Sequence, residues 1–215
     1  MTVNELYDEE YYEKGLVTGK SCYMNYRWMP ELTLKMAYHL INHLKLKESD
    51  KVLDYGCAKG FLVKALRILD IPAFGCDISG YAIDNAEADI RHHCSLIESS
   101  RIIPFDFDFD WIITKDVLEH MDERSVDSFL KHSYSKANRA FHVIPLGNHN
   151  DGYIIPEYDK DPSHMLAKNA KWWKNKFESF GWVQTSFSHN VKGIKDNWTE
   201  RYKEGNGFFI LEKNN

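Results

Sequence analysis

Among the 215 residues there is no dense run of lysine or arginine, and the net charge is −5. A surface that grips duplex nucleic acid shows a basic stripe, so nucleic acid is not expected as the partner. No apolar run approaches the ~20 residues a helix needs to cross a bilayer. The opening MTVNELYDEEYYEKG is polar and acidic, unlike a secretory signal. A cytoplasmic protein without a membrane partner is therefore expected. Cysteine is scarce: Cys22, Cys57, Cys76 and Cys94 lie far apart with no CxxC pair, which argues against a zinc cluster or a disulfide framework. Cys57 and Cys76 end apolar runs, where buried thiols are common. Internal repeats and low-complexity linkers are lacking too, as is the G-x-G-x-x-G fingerprint of dinucleotide folds.

What is present is an ordinary globular balance, 43% hydrophobic and 27% charged residues, in a chain long enough for one complete α/β domain. Residues 1 to about 29 are rich in tyrosine and read as irregular or short helical structure. Pro30 suits the first position of a helix, and Leu32, Met36, Leu40 and Leu44 give that helix an apolar stripe. From Lys51 strand and helix alternate. KVLDYG, IPAFGCD, HCSLIES, WIIT and AFHVIP read as strands, with FLVKALRIL, SGYAIDNAEADI, SVDSFLKHSY and NAKWWKNKFESFG as helices between or after them. WVQTSFSH and GFFILEK close the chain as two more strands. Such alternation implies a mostly parallel sheet with helices on both faces, with the ligand crevice at the carboxyl ends of the strands. Residues 1–50 are expected to form a cap and 51–215 the core.

Three features carry chemistry. In VLDYGCAKG (52–60) a strand runs into a glycine turn that opens a helix. Gly56 allows the sharp turn and Gly60 a close approach of backbone to ligand, while Asp54 can accept from turn amides or an ammonium group. Asp77 ends the next strand, where a carboxylate can take both hydroxyls of a ribose or cap the following helix. The third feature is FDFDFDWIITKDVLEHMD (105–122).

Together D-x-G-C-x-x-G, the acidic end of the second strand and F-D-x-I-x-x-x-D-V-L-E-H resemble the class I S-adenosylmethionine-dependent methyltransferases. The resemblance implies a Rossmann-like sheet of seven strands in the order 3-2-1-4-5-7-6, with the last strand antiparallel. It implies S-adenosyl-L-methionine as cofactor, with Asp54, Gly56, Cys57, Ala58 and Gly60 beside its methionine and ribose portions. Asp77 would bind the ribose and Ile78 pack on adenine. Lys115, Asp116 and Val117 would face the methyl end, and His120 would shape the site. Ala58 departs from the glycine often found in that loop, which matters if the position needs positive φ.

The segment GKSCYMNYRW (19–28) is similar to the substrate-covering segments of small-molecule methyltransferases. Tyr23, Tyr26 and Arg27 are its candidate acceptor-binding residues, Arg27 as a bidentate donor to an anion. For a base that deprotonates an alcohol acceptor, His164, in a loop after the fifth strand, is the first choice, then His142 and Asp116. Spacing reveals no metal set and no metal is expected, although His164, Asp161 and Asp116 can converge in space. The alternatives are an aminopropyltransferase, an NAD-dependent oxidoreductase and a non-catalytic adenosyl-ligand binding subunit. The acceptor expected is a small polar molecule: a sugar, a nucleotide-linked or phosphorylated metabolite, or a secondary metabolite.

Overall fold

The computed structural model describes residues 6–99, 102–148 and 152–214. Two short helices, α1 (Glu9–Glu13) and α2 (Gly15–Thr18), precede the long α3 (Pro30–Leu44). Strands β1 (Val52–Tyr55), β2 (Ala73–Asp77) and β3 (Cys94–Leu96) then alternate with α4 (Phe61–Ile68) and α5 (Gly80–Asp84). β4 (Phe109–Lys115), α6 (Glu123–Lys136), β5 (Ala137–Pro145), α7 (Ala170–Ser179), β6 (Trp182–Ser188), α8 (Asp196–Arg201) and β7 (Asn206–Lys213) complete the chain.

The seven strands lie in the order β3-β2-β1-β4-β5-β7-β6. Pairings from β3 to β5 are parallel, whereas β7 runs antiparallel to both β5 and β6. Strand order reverses between β1 and β4, and a doubly wound sheet opens its crevice at such a point. Side-chain alternation explains the two covered faces. Val52, Trp111, Ile113, Phe141 and Val143 pack with Ala37, Leu40 and Leu66 of α3 and α4. Leu53, Ile112, Ala140 and Ile144 pack on the opposite side with Phe129 of α6 and with Trp173 and Phe177 of α7. Among the described residues no helix is long and apolar enough to cross a membrane.

Two local expectations are corrected. The second helix stops at Asp84. There the Asn85 side-chain amide donates to the Tyr81 carbonyl at 2.8 Å, competing with helix continuation, and the chain turns to bury Ala86 and Ile90. In α3, Leu40 and Leu44 are buried, but Leu32 is 58% exposed. Steps of four residues rotate a stripe by ~40° each on a helix of 3.6 residues per turn. Three steps from Leu44 carry Leu32 off the packed face.

Phe177 is fully buried and contacts Trp173, Phe209 and the imidazole of His142. Phe177→Ala should lower unfolding free energy by about 3–5 kcal/mol, the usual cost of emptying a phenylalanine site. Val183→Ala, on the half-exposed side of β6, should change it by less than about 0.5 kcal/mol. Urea denaturation of both variants checks the contrast.

Candidate functional site

A cavity of about 800 Å³ opens at the carboxyl ends of β1, β2 and β4. Its floor is the turn after β1. Gly56 has φ +81°, and a Cβ there would stand 2.5 Å from Val117 Cγ2, so glycine is required by conformation and by space. Ala58 also has positive φ, +49°, a region that disfavours any residue with a Cβ. The Ala58 amide donates to Asp77 Oδ2 at 2.7 Å and the Ser79 amide to Asp77 Oδ1 at 2.8 Å. One buried carboxylate thus holds the β1 turn against the end of β2. It is not the helix cap: Ser79 Oγ accepts from the Ala82 amide and caps α5.

Gly60 does not line the cavity. It begins α4 at φ +72°, and a Cβ there would meet Ile90 Cδ1 at 2.7 Å and Cys94 Sγ at 2.9 Å. Its lack of a side chain serves close packing inside the fold rather than approach to a ligand.

Asp54, Cys57, Asp77 and Ile78 line the floor, and Lys115, Asp116, Val117 and His120 line the β4 side. Burial pushes the Asp54 carboxyl up to about 7, the Asp77 carboxylate adds to the rise, and Lys115 opposes it. Burial also raises Asp77, while its backbone amide partners pull it down. Asp116 sits at φ +55°, ion-paired to Lys115 Nζ at 2.7 Å and to Lys195 Nζ. Despite burial, these two ammonium groups hold its carboxyl far below the usual carboxylate range, which makes it a poor acceptor of protons.

Residues 6–28 form the roof. Asp8 caps α1 by accepting from the Tyr11 amide, and α2 ends at Gly19 in the left-handed region. Among Tyr11, Tyr12, Tyr23 and Tyr26, neighbouring ring centroids lie 4.9–6.0 Å apart, edge to face, tilted or stacked. Tyr7, Tyr23, Tyr26 and Arg27 line the cavity from above. Two residues, through three hydrogen bonds, fasten this roof to the floor. Lys59 Nζ donates to Glu13 Oε1 at 2.5 Å and to the Tyr26 carbonyl at 2.9 Å, and Ser79 Oγ donates to the Tyr7 carbonyl at 2.6 Å.

The histidines separate by position. His142 is fully buried in β5, bonded through Nδ1 to Thr114 Oγ1 at 2.8 Å and stacked on Phe177. Burial pushes its imidazole down to about 3, and it does not border the cavity, so it cannot meet an acceptor there. His164 borders a second, small polar cavity of about 140 Å³ with Tyr153, Tyr158 and Asp161. His120 borders the large one, and the two rings are 4.5 Å apart. Burial, with the neighbouring His164, lowers His120 to about 4, so it is neutral at pH 7.

The expected convergence of His164, Asp161 and Asp116 gives way to another. Asp116 is taken by its lysines, and Asp161 accepts from Ser163. Glu119 and His120 are the groups that gather with His164. Glu119 and Lys195 were missed as site residues. The V-L-E-H run held the signal for Glu119, a carboxylate in an apolar turn, whereas nothing local marks Lys195.

A profile described as a methyltransferase domain matches residues 23–190. The fold is similar to that of an S-adenosylmethionine-dependent methyltransferase from Archaeoglobus fulgidus, with TM-score 0.62 and 16% identity over 86% of this chain and 97% of that one. It is also similar to one from Clostridium acetobutylicum, with TM-score 0.63 and 12% identity over 84% of this chain and 92% of the other. Mitomycin 7-O-methyltransferase MmcR gives TM-score 0.61 and 11% identity over 86% of this chain and 54% of its own. No curated protein matches in sequence. At these identities the solved structures speak for the fold alone, but the profile spans most of the chain: it belongs to the class I S-adenosylmethionine-dependent methyltransferases.

Proposed function

We propose that this chain methylates an oxygen or nitrogen of a small polar acceptor held beneath the tyrosine roof. The observation that carries the reading is the roofed cavity itself. Two buried carboxylates form its floor and aromatic hydroxyl-bearing side chains its ceiling. When bound, S-adenosyl-L-methionine supplies a methyl group already activated on a sulfonium. The residues on the floor fit it: Asp54 offers a carboxylate to an ammonium, Asp77 keeps lone pairs for ribose hydroxyls, and Ile78 offers an apolar face to adenine.

Alignment and exclusion of water are then the main tasks of the protein. The tyrosine cluster performs the second, and Arg27 can hold an anionic group of the acceptor. An alcohol acceptor must also shed a proton as the new bond forms. The wall carrying His120, with His164 and Glu119 behind it, is where that proton is handled. The neighbouring fold of an O-methyltransferase acting on mitomycin supports a small-molecule acceptor.

Calorimetry with S-adenosylhomocysteine and with NAD tests the reading: the first should bind and the second should not. Tight binding of NAD alone would overturn it. Asp77→Ala should weaken S-adenosylhomocysteine strongly, since each hydrogen bond to a charged acceptor is worth about 1.5–3 kcal/mol.

Affinity should also depend on pH through Asp54. Below about 7 its carboxyl is protonated, so the ammonium of the ligand loses its partner. From pH 8 to pH 6 the affinity should fall by roughly tenfold, and Asp54→Asn should flatten the profile. The ligand-free chain shows the opposite trend. A folded pKa raised above its unfolded value favours the fold at low pH, so this contribution is lost as pH rises through about 7.

Lys59→Met should loosen the roof. Hydrogen exchange at the Tyr11, Asn25 and Tyr26 amides should speed up at least about tenfold, and KM for the acceptor should rise more than that for the cofactor.

A further inference from the structure

We propose that Glu119, His120 and His164 form a binding site for one divalent first-row transition-metal ion in the wall shared by the large and small cavities. The site as a metal site stands on its own geometry; its catalytic consequence rests on the methyl-transfer reading above.

The three residues are brought together by backbone pairing. Leu118–His120 is a 3-10 turn after β4. The amides of Met165 and Leu166 donate to the Glu119 carbonyl at 2.8 and 3.1 Å, which lays the loop carrying His164 against that turn. One ligand atom from each side chain lies within 4.8 Å of the others. Bonds of about 2.0–2.2 Å to a metal separate ligand atoms by roughly 3–4 Å, so small side-chain rotations close the set.

Hydrogen bonding fixes which nitrogen of each imidazole keeps its lone pair. His164 Nδ1 is 2.7 Å from the Tyr158 carbonyl. A carbonyl only accepts, so Nδ1 carries the proton and Nε2 the lone pair. His120 Nδ1 faces the Ser163 carbonyl at 3.3 Å and Ser163 Oγ at 2.9 Å. That hydroxyl gives its own proton to Asp161 Oδ1 at 2.5 Å, so His120 also keeps its lone pair on Nε2. Glu119 is completely buried, and neither of its carboxylate oxygens has a hydrogen-bond partner. The amines on that side, Lys115 and Lys195, are bonded to Asp116.

Two imidazoles and a buried carboxyl group whose oxygens have no hydrogen-bond partner therefore meet in one wall. A buried carboxyl without a partner is unfavourable, and a cation bound here would give it one while engaging both imidazoles. The Asp161–Ser163–His120 relay is of the kind that orients ligating imidazoles. Two nitrogens and one oxygen suit zinc, iron(II), cobalt or manganese better than magnesium or calcium, and three protein ligands leave coordination positions open. His120 borders the large cavity, so an ion held there would lie in the wall beside the acceptor. Lewis acidity there lowers the pKa of an acceptor hydroxyl, whose proton passes to water. The oxygen–carbon bond then forms as the sulfur–carbon bond breaks, the electron pair stays on sulfur, and the ion keeps its oxidation state.

The test uses the full chain, stripped with chelator and titrated with Zn²⁺ and with Co²⁺. About one equivalent should bind, Co²⁺ should develop visible d–d absorption, and Zn²⁺ should raise the melting temperature. Glu119→Gln and His164→Ala should each weaken Zn²⁺ more than about 100-fold, and Asp161→Asn by about 10–100-fold. His164 is only half-buried, so its variant keeps the experiment decisive if the Glu119 variant unfolds. S-adenosylhomocysteine affinity of the His164 variant should stay within about threefold of wild type, which separates this site from the cofactor floor. Zn²⁺ binding equal in wild type and His164→Ala, or no binding to either, would overturn the proposal. Metal binding without S-adenosylhomocysteine binding would instead overturn the cofactor reading and leave the metal site standing.

Discussion

A single buried carboxylate, Asp77, ties the turn after β1 to the end of β2 through the amides of Ala58 and Ser79. Much else depends on that clamp. It keeps Ala58 in the left-handed region, where a Cβ is unfavourable, and so shapes the floor of the cavity. It also sets Ser79, which caps α5 and anchors the roof at the Tyr7 carbonyl. Asp77 and Asp54 line one floor, and their mutual repulsion is part of why Asp54 titrates near neutrality. Removing water from two like charges is costly unless a cation or donors arrive. The floor is thus arranged to welcome an ammonium and a diol.

A second strained point balances the first across the switch in strand order. Asp116 follows β4 with positive φ and is held by Lys115 and Lys195. Lys195 begins α8, in the excursion between β6 and β7. The excursion within the antiparallel hairpin that completes the sheet therefore braces, through Lys195, a residue that lines the cavity. Strain of this sort, of order 1–3 kcal/mol per residue, persists where surrounding contacts over-determine it.

The frame of the fold was legible because its strands are short apolar runs covered on both faces. VLDY, WIIT and AFHVIP carry a pattern that only a central parallel sheet explains. The floor of the large cavity was legible for a related reason: a glycine turn and an acidic strand end act locally, within two consecutive strand–helix units. What escaped depended on pairings far apart in sequence. Nothing local joins Lys195 to Asp116, or His164 to Glu119; the backbone bonds from Met165 and Leu166 make the second meeting. His142 misled for the same reason. Its place in β5 was clear, but only the packing of Phe177 and the bond to Thr114 reveal that it faces the interior. Ala58 shows the converse, a residue whose identity alone was ambiguous until its backbone conformation was known.

The anchors of the roof sit on the same two turns that form the floor of the large cavity: Lys59 follows Ala58, and Ser79 lies two residues past Asp77. With the nucleoside on this floor, as proposed above, its arrival and departure would disturb the fastenings of residues 6–28. Undocking of the roof and exchange of spent cofactor would then be one event with one barrier. In an enzyme whose methyl donor is already activated, that shared barrier makes product release, rather than bond making, the natural pace-setter of the cycle.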